Sequence, residues 1–116
     1  NAPSQFAGIA AIDGPQDAVA DMLEAFDRRR RLVTDLLNEL PGVYCVLPKG
    51  AFYAFPNISA TGWKAKPLAS ALLEEAGVAL IGVLGEGYVR VSCANSDDNI
   101  EKAIQRIGDY LESRKP

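Results

Sequence analysis

Hydrophobic residues recur at three- and four-residue spacing over two long stretches and alternate with polar ones over a third, and these periods divide the chain into elements. From Pro15, well placed in a first helical turn, Val19, Met22, Leu23, Phe26, Val33, Leu36, Leu37 and Leu40 form the stripe of a long helix that Pro41-Gly42 ends. Ahead of it, Ala2 to Ile12 is small and apolar, with Gln5 as its main polar residue. That stretch reads as a short packed helix broken by Asp13-Gly14-Pro15. Val43 to Leu47 and Ala51 to Phe55 are rich in β-branched and aromatic residues, and Pro48-Lys49-Gly50 between them has the length and the glycine of a hairpin loop. Pro56 stops the second strand, and Asn57 to Lys66 reads as a polar loop with Trp63 as a local anchor. A shorter helix follows from Pro67, with Leu68, Ala69, Leu72, Leu73 and Ala76 as its buried stripe and Gly77 as its C-terminal cap. Val78 to Ile81 reads as a short strand.

The alternating stretch, Gly85 to Ser96, organises the rest. Val89, Val91 and Cys93 fall on one apolar face, and Tyr88, Arg90, Ser92 and Ala94 on the other. Ser96 then caps a last helix, Asp97 and Asp98 place negative charge where the helix dipole favours it, and Ile100, Ala103, Ile104, Ile107 and Leu111 define its apolar face. Its charged end, Glu112 to Pro116, is expected to fray. Helix, helix, hairpin, helix, short strand, strand and helix predict an α/β fold of the two-layer α+β kind. One domain over residues 1–116 would hold a small, mostly antiparallel sheet of about four strands packed against helices.

Composition narrows the chemistry. At 116 residues, 48% hydrophobic and 23% charged, the chain suits one soluble globular core. Twelve Lys and Arg against fifteen Asp and Glu give a net charge of −3, which argues against a nucleic-acid partner. No apolar run is long enough to cross a bilayer. The two cysteines, Cys45 and Cys93, lie in predicted strands rather than in a spaced framework, which fits a reducing cytoplasm. Histidine is absent and no clustered Cys or carboxylate spacing replaces it, so no metal is expected. The chain opens at Asn1, and its one Met is Met22 inside a helix, so it reads as an excised piece of a longer protein. No Gly-rich phosphate loop precedes a helix, and no nucleophile stands beside a base.

Two arginine features remain. Arg90 sits on rigid backbone, where a planar fork can meet a carboxylate with two parallel hydrogen bonds; the other reading of such a residue is a solvated or structurally paired cation. The run Arg28 to Arg31 lies in the long helix, and Arg30 falls near the gap in the stripe between Phe26 and Val33. It is therefore either part of a solvated face or the partner of a carboxylate from another part of the protein.

Three blocks carry a resemblance. Gln5-Phe6-Ala7-Gly8-Ile9-Ala10-Ala11-Ile12-Asp13-Gly14-Pro15-Gln16-Asp17, Pro48-Lys49-Gly50-Ala51-Phe52-Tyr53-Ala54-Phe55-Pro56, and Gly87-Tyr88-Val89-Arg90-Val91-Ser92-Cys93-Ala94 together resemble the C-terminal, small domain of aspartate-aminotransferase-like, class I/II pyridoxal-phosphate transaminases. Their order and spacing match along nearly the whole chain. The resemblance implies the small-domain fold of fold type I enzymes, with Arg90 as the residue that binds the substrate α-carboxylate. It implies amino acid and 2-oxo acid substrates, a large cofactor-binding domain in the same chain, a homodimer, and pyridoxal 5′-phosphate as cofactor of the full-length enzyme.

The family holds that cofactor on a Lys in an S-K-x-[FY]-like motif, with an Asp at the pyridine nitrogen, both ahead of the segment present here. Neither motif occurs in this chain, so catalytic and cofactor-binding residues are expected outside it. Lys49, Lys64, Lys66, Lys102 and Lys115 read as structural or solvent-facing. The chain also departs from the family at Gly82-Val83-Leu84-Gly85, where a P-G-x-x-F-G segment that shapes the active-site mouth is shortened, without its Pro and Phe. The competing reading is a non-catalytic small α/β regulatory or interaction module in which Arg90 belongs to a structural ion pair.

Overall fold

The computed structural model describes residues 1–116 except Val83, Leu84 and Lys115. Helix α1 spans Ala2–Asp13 and helix α2 Asp17–Glu39; strand β1, Tyr53–Ala54, is followed by a 3-10 turn, Ser59–Thr61, and helix α3, Ala65–Glu75. Strands β2, Ile81–Gly82, and β3, Val89–Ser92, precede helix α4, Asp97–Ser113. Among the described residues the sheet has three strands rather than about four, in the order β1-β3-β2, and both pairings are antiparallel.

The core forms where the helical stripes meet the apolar face of β3. Val33 and Leu37 of α2, Leu68 and Leu72 of α3, and Ile100, Ile104 and Ile107 of α4 close over Val89, Cys93 and Ala54, all buried. Each large aliphatic side chain so covered contributes about 1.5–3 kcal/mol relative to an exposed one. Val91, expected with Val89 and Cys93 on the buried face, packs against this core but is only half-buried. Ser96 accepts the backbone N–H of Asn99 at 3.3 Å, so α4 has its expected cap. Gly77, at φ 64, ends α3 in the left-handed conformation that glycine adopts without strain.

The expected hairpin does not form a ladder. Val43 to Leu47 and Ala51 to Phe55 are not paired strands; a single bridge, Tyr44 to Asn57, closes the segment, and Tyr53–Ala54 pairs with β3 instead. Tyr44 exchanges both backbone hydrogen bonds with Asn57, and on the opposite edge the Asn38 side-chain amide accepts the Cys45 N–H at 2.8 Å and donates to the Cys45 carbonyl at 2.9 Å, tying residue 45 to α2. Pro48 has no N–H to offer, and its carbonyl accepts from Arg30. Helix α3 begins at Ala65, two residues before Pro67; Ala65, Leu68 and Leu72 are its buried residues, and Leu73, expected among them, is exposed. The expected strand over Val78 to Ile81 shifts to Ile81–Gly82, where pairing with β3 is available.

Helix α1 forms as the composition suggests but is not packed. None of its side chains is buried, and Phe6 and Ile12 are 72% and 79% exposed. The first half of α2 is equally bare, with Val19, Met22 and Leu23 all exposed. The two helices project from the core, giving extents of 56 × 28 × 23 Å and a radius of gyration of 17.5 Å. A compact domain of this length would have a radius of about 13 Å.

Candidate functional site

Strand β3 is built to be rigid along its length. It starts after Gly87, a buried residue at φ 89 where an added Cβ would collide with the Ser59 hydroxyl. The Gly87 carbonyl accepts the Ile58 N–H at 2.8 Å, the Val89 N–H donates to Pro56 at 3.2 Å, and the Cys93 N–H donates to Phe52 at 2.9 Å. On its other edge, Ile81 stands opposite Arg90 and Gly82 opposite Val89. Arg90 is thus on the middle strand, with a neighbour on each side.

Its side chain is half-buried, and its guanidinium carbon lies 4.3 Å from the centroid of the Tyr53 ring. Tyr53 stands opposite Ser92, two residues along from Arg90 on the same face, which is the diagonal distance long side chains can bridge. The ring is braced in turn: Tyr53 lies 4.5 Å from Phe52, and Phe52 6.2 Å from Phe26 of α2, between ring centroids. Arg90 takes part in none of the ion pairs among the described residues.

The four arginines of α2 are each paired with a carboxylate. Arg28 and Arg29 each place Nε 2.9 Å from an oxygen of Asp97, at the start of α4 just beyond β3. Their hydrogen bonds, from Arg28 first and then Arg29, hold the Asp97 carboxyl below the usual carboxylate range. Arg30 and Arg31 both pair with Asp27 on their own helix, and the bonds from Arg30 and then Arg31 lower the Asp27 carboxyl in the same way. Arg30 therefore takes a local carboxylate and the Pro48 carbonyl, and it is Arg28 and Arg29 that reach a distant one.

No reactive thiol or buried amine accompanies Arg90 among the described residues. Cys45 and Cys93 are unpaired and buried, and burial pushes both thiols up, away from the reactive thiolate. Lys49, Lys64, Lys66 and Lys102 are exposed, and Lys115 is outside the described residues. No group of three or more Cys, Asp or Glu among the described residues could hold a metal ion. Trp63 is a half-buried anchor, its ring 5.9 Å from that of Tyr110. A cleft of about 340 Å³ lies between residues 77–80, β3 and α4, but Arg90 does not line it. The shortened segment includes Val83 and Leu84, so that expectation falls partly outside the described residues. Sequence reasoning missed Tyr53. Assigning 51–55 to a hairpin with 43–47 hid the pairing with β3 that brings its ring to Arg90.

Fold and site together define a small α+β domain that presents one guanidinium on its middle strand and leaves an apolar helix pair uncovered. No protein-family model matches the chain. It is 42% identical over 118 residues to an aspartate aminotransferase of Pyrococcus horikoshii, an alignment covering 96% of this chain and 30% of that protein. Among solved structures, an alanine aminotransferase from Pyrococcus furiosus superposes with a TM-score of 0.90 at 32% identity, over 98% of this chain and 30% of that one. An aromatic aminotransferase from Pyrococcus horikoshii gives 0.79 at 43% identity, over 84% and 27%. Along nearly its whole length the chain corresponds to the small C-terminal domain of these aminotransferases. It spans about 30% of the length of the curated relatives it matches.

Proposed function

We propose that residues 1–116 are the small domain of a pyridoxal-phosphate-dependent aminotransferase that exchanges an amino group between an amino acid and a 2-oxo acid, and that Arg90 binds the substrate α-carboxylate. The observation that carries this reading is Arg90 itself. It is held on the middle strand, flanked by an aromatic ring, and joined to no carboxylate among the described residues. A guanidinium fork so placed is suited to two parallel hydrogen bonds with a planar carboxylate. The competing reading, a regulatory module with Arg90 in a structural ion pair, has no carboxylate to name among those residues.

The residues present do not fit the cofactor. The described lysines are exposed, and none is enclosed in the apolar surroundings that covalent attachment calls for. Pyridoxal 5′-phosphate supplies the electron sink for amino transfer when bound, and in this reading it is held by a large domain of the same polypeptide. The uncovered apolar side chains of α1 and early α2 support a partner surface of that kind, from the large domain or from a second subunit of a homodimer. The unpaired cysteines support a reducing, cytoplasmic setting.

The test is Arg90→Lys in the full-length enzyme, which keeps the charge and removes the fork. We expect kcat/KM for amino acids to fall at least ~100-fold, about 2.7 kcal/mol of transition-state binding. Amines without an α-carboxylate should react at unchanged rates, since the lost contact is one they never make. Amino acid turnover within about threefold of the parent would end the assignment.

A further inference from the structure

We infer that Tyr53 is a positioning residue for the carboxylate site, its ring holding the Arg90 guanidinium in place for the incoming anion; this rests on the reading of Arg90 given above. A long arginine side chain on an open strand face has several rotamers, and a ligand that needs one of them loses affinity by the fraction of time spent in the others. Here the guanidinium carbon lies 4.3 Å from the Tyr53 ring centroid, well inside the range of a cation–π contact. An aromatic face attracts the cation without consuming its N–H donors, whereas a structural carboxylate would occupy the donors the substrate needs.

The geometry around the pair fits that role. Tyr53 is fixed by its strand pairing to Ser92 and by contact of its ring with Phe52, which touches Phe26 on α2, so the ring is anchored to the long helix. Ile81 flanks Arg90 from the other strand, directly opposite in register. One neighbour is aromatic and the other aliphatic, so neither competes with a carboxylate for the guanidinium hydrogens.

The test compares Tyr53→Phe, which keeps the ring, with Tyr53→Leu, which removes it, in the full-length holoenzyme. Tyr53→Thr, a residue favoured in strands, replaces the Leu variant should that one fail to fold. Loss of the ring should raise the KM for amino acids and the inhibition constant of a non-reacting monocarboxylic acid about tenfold, the scale of a partly desolvated cation–π contact. Rates at saturation should change less than about twofold, and Tyr53→Phe should restore both constants. Equal losses in the Phe and Leu variants, or an unchanged carboxylate inhibition constant in the ringless one, would overturn the role of the ring. Arg90→Lys in the same series separates the two proposals. If it weakens the monocarboxylate while the ringless variants do not, only the Tyr53 proposal fails; if it too leaves binding unchanged, the Arg90 reading fails.

Discussion

Val89 and Arg90 are adjacent on one strand and answer to opposite demands. Val89 is buried among helix side chains, while Arg90 points to the open face beside Tyr53. Val89→Asp would place an unpaired carboxylate in the core, at an expected cost of about 3–5 kcal/mol, whereas Arg90→Ala should cost about 1 kcal/mol or less. Denaturant unfolding of the two variants checks this, and equal losses would mean the faces are assigned the wrong way round. Alternation made this much of the strand legible, because a period of two needs no knowledge of the partner. It overstated Val91, whose half-exposed position depends on how far the helices reach across the sheet. The contact between Tyr53 and Arg90 was out of reach for a different reason: it depends on register between strands 37 residues apart.

At the scale of elements, Asp97 fastens α2 to the start of α4, immediately after the strand that carries Arg90. Arg28 and Arg29 reach it across 69 and 68 residues of sequence, a pairing that no local pattern announces, which is why the arginine run pointed to Arg30 instead. The stripe of α4 and the Leu68–Leu72 part of that of α3 were legible because helical periodicity is a local property. The hairpin was misread because propensity marks 51–55 as extended but does not say which segment it pairs with, and Tyr53–Ala54 pair with β3. The Asp97 pairing has a pH signature. Its carboxyl is held below the ordinary value in the folded chain, so its contribution is fully present above the unfolded pKa and is lost as pH falls through the folded one. The stability gap between the parent and Asp97→Asn should therefore be constant from about pH 7 to pH 5 and close in acid below about pH 4. Thermal melts across that range measure it. A gap that widened toward acid would contradict the pairing, and added salt should narrow it at neutral pH because Arg28 is exposed and Arg29 and Asp97 are only partly buried.

The whole molecule is lopsided: a packed body of three helices and a small sheet, and an arm made of α1 and the first half of α2. Composition identified α1 as a helix but could not say that its apolar residues lack a partner in this chain, since periodicity reports a face and not what covers it. A helix of 12 residues with no buried side chain is marginal in water, so α1 adds little to the stability of the body. If the arm is the contact surface for the rest of an aminotransferase, its apolar residues stabilise only the intact protein. Replacing Phe6, Ile9 and Ile12 together by Ser should change the unfolding free energy of the 116-residue chain by no more than about 0.5 kcal/mol. In the full-length protein the same triple substitution should cost roughly 4 kcal/mol or more, as three large apolar side chains lose their cover. Denaturant unfolding of both forms, each with and without the substitutions, gives the comparison. A full-length protein as indifferent to the change as the isolated chain would mean that nothing packs on α1, and the arm would then have no part in assembling the enzyme.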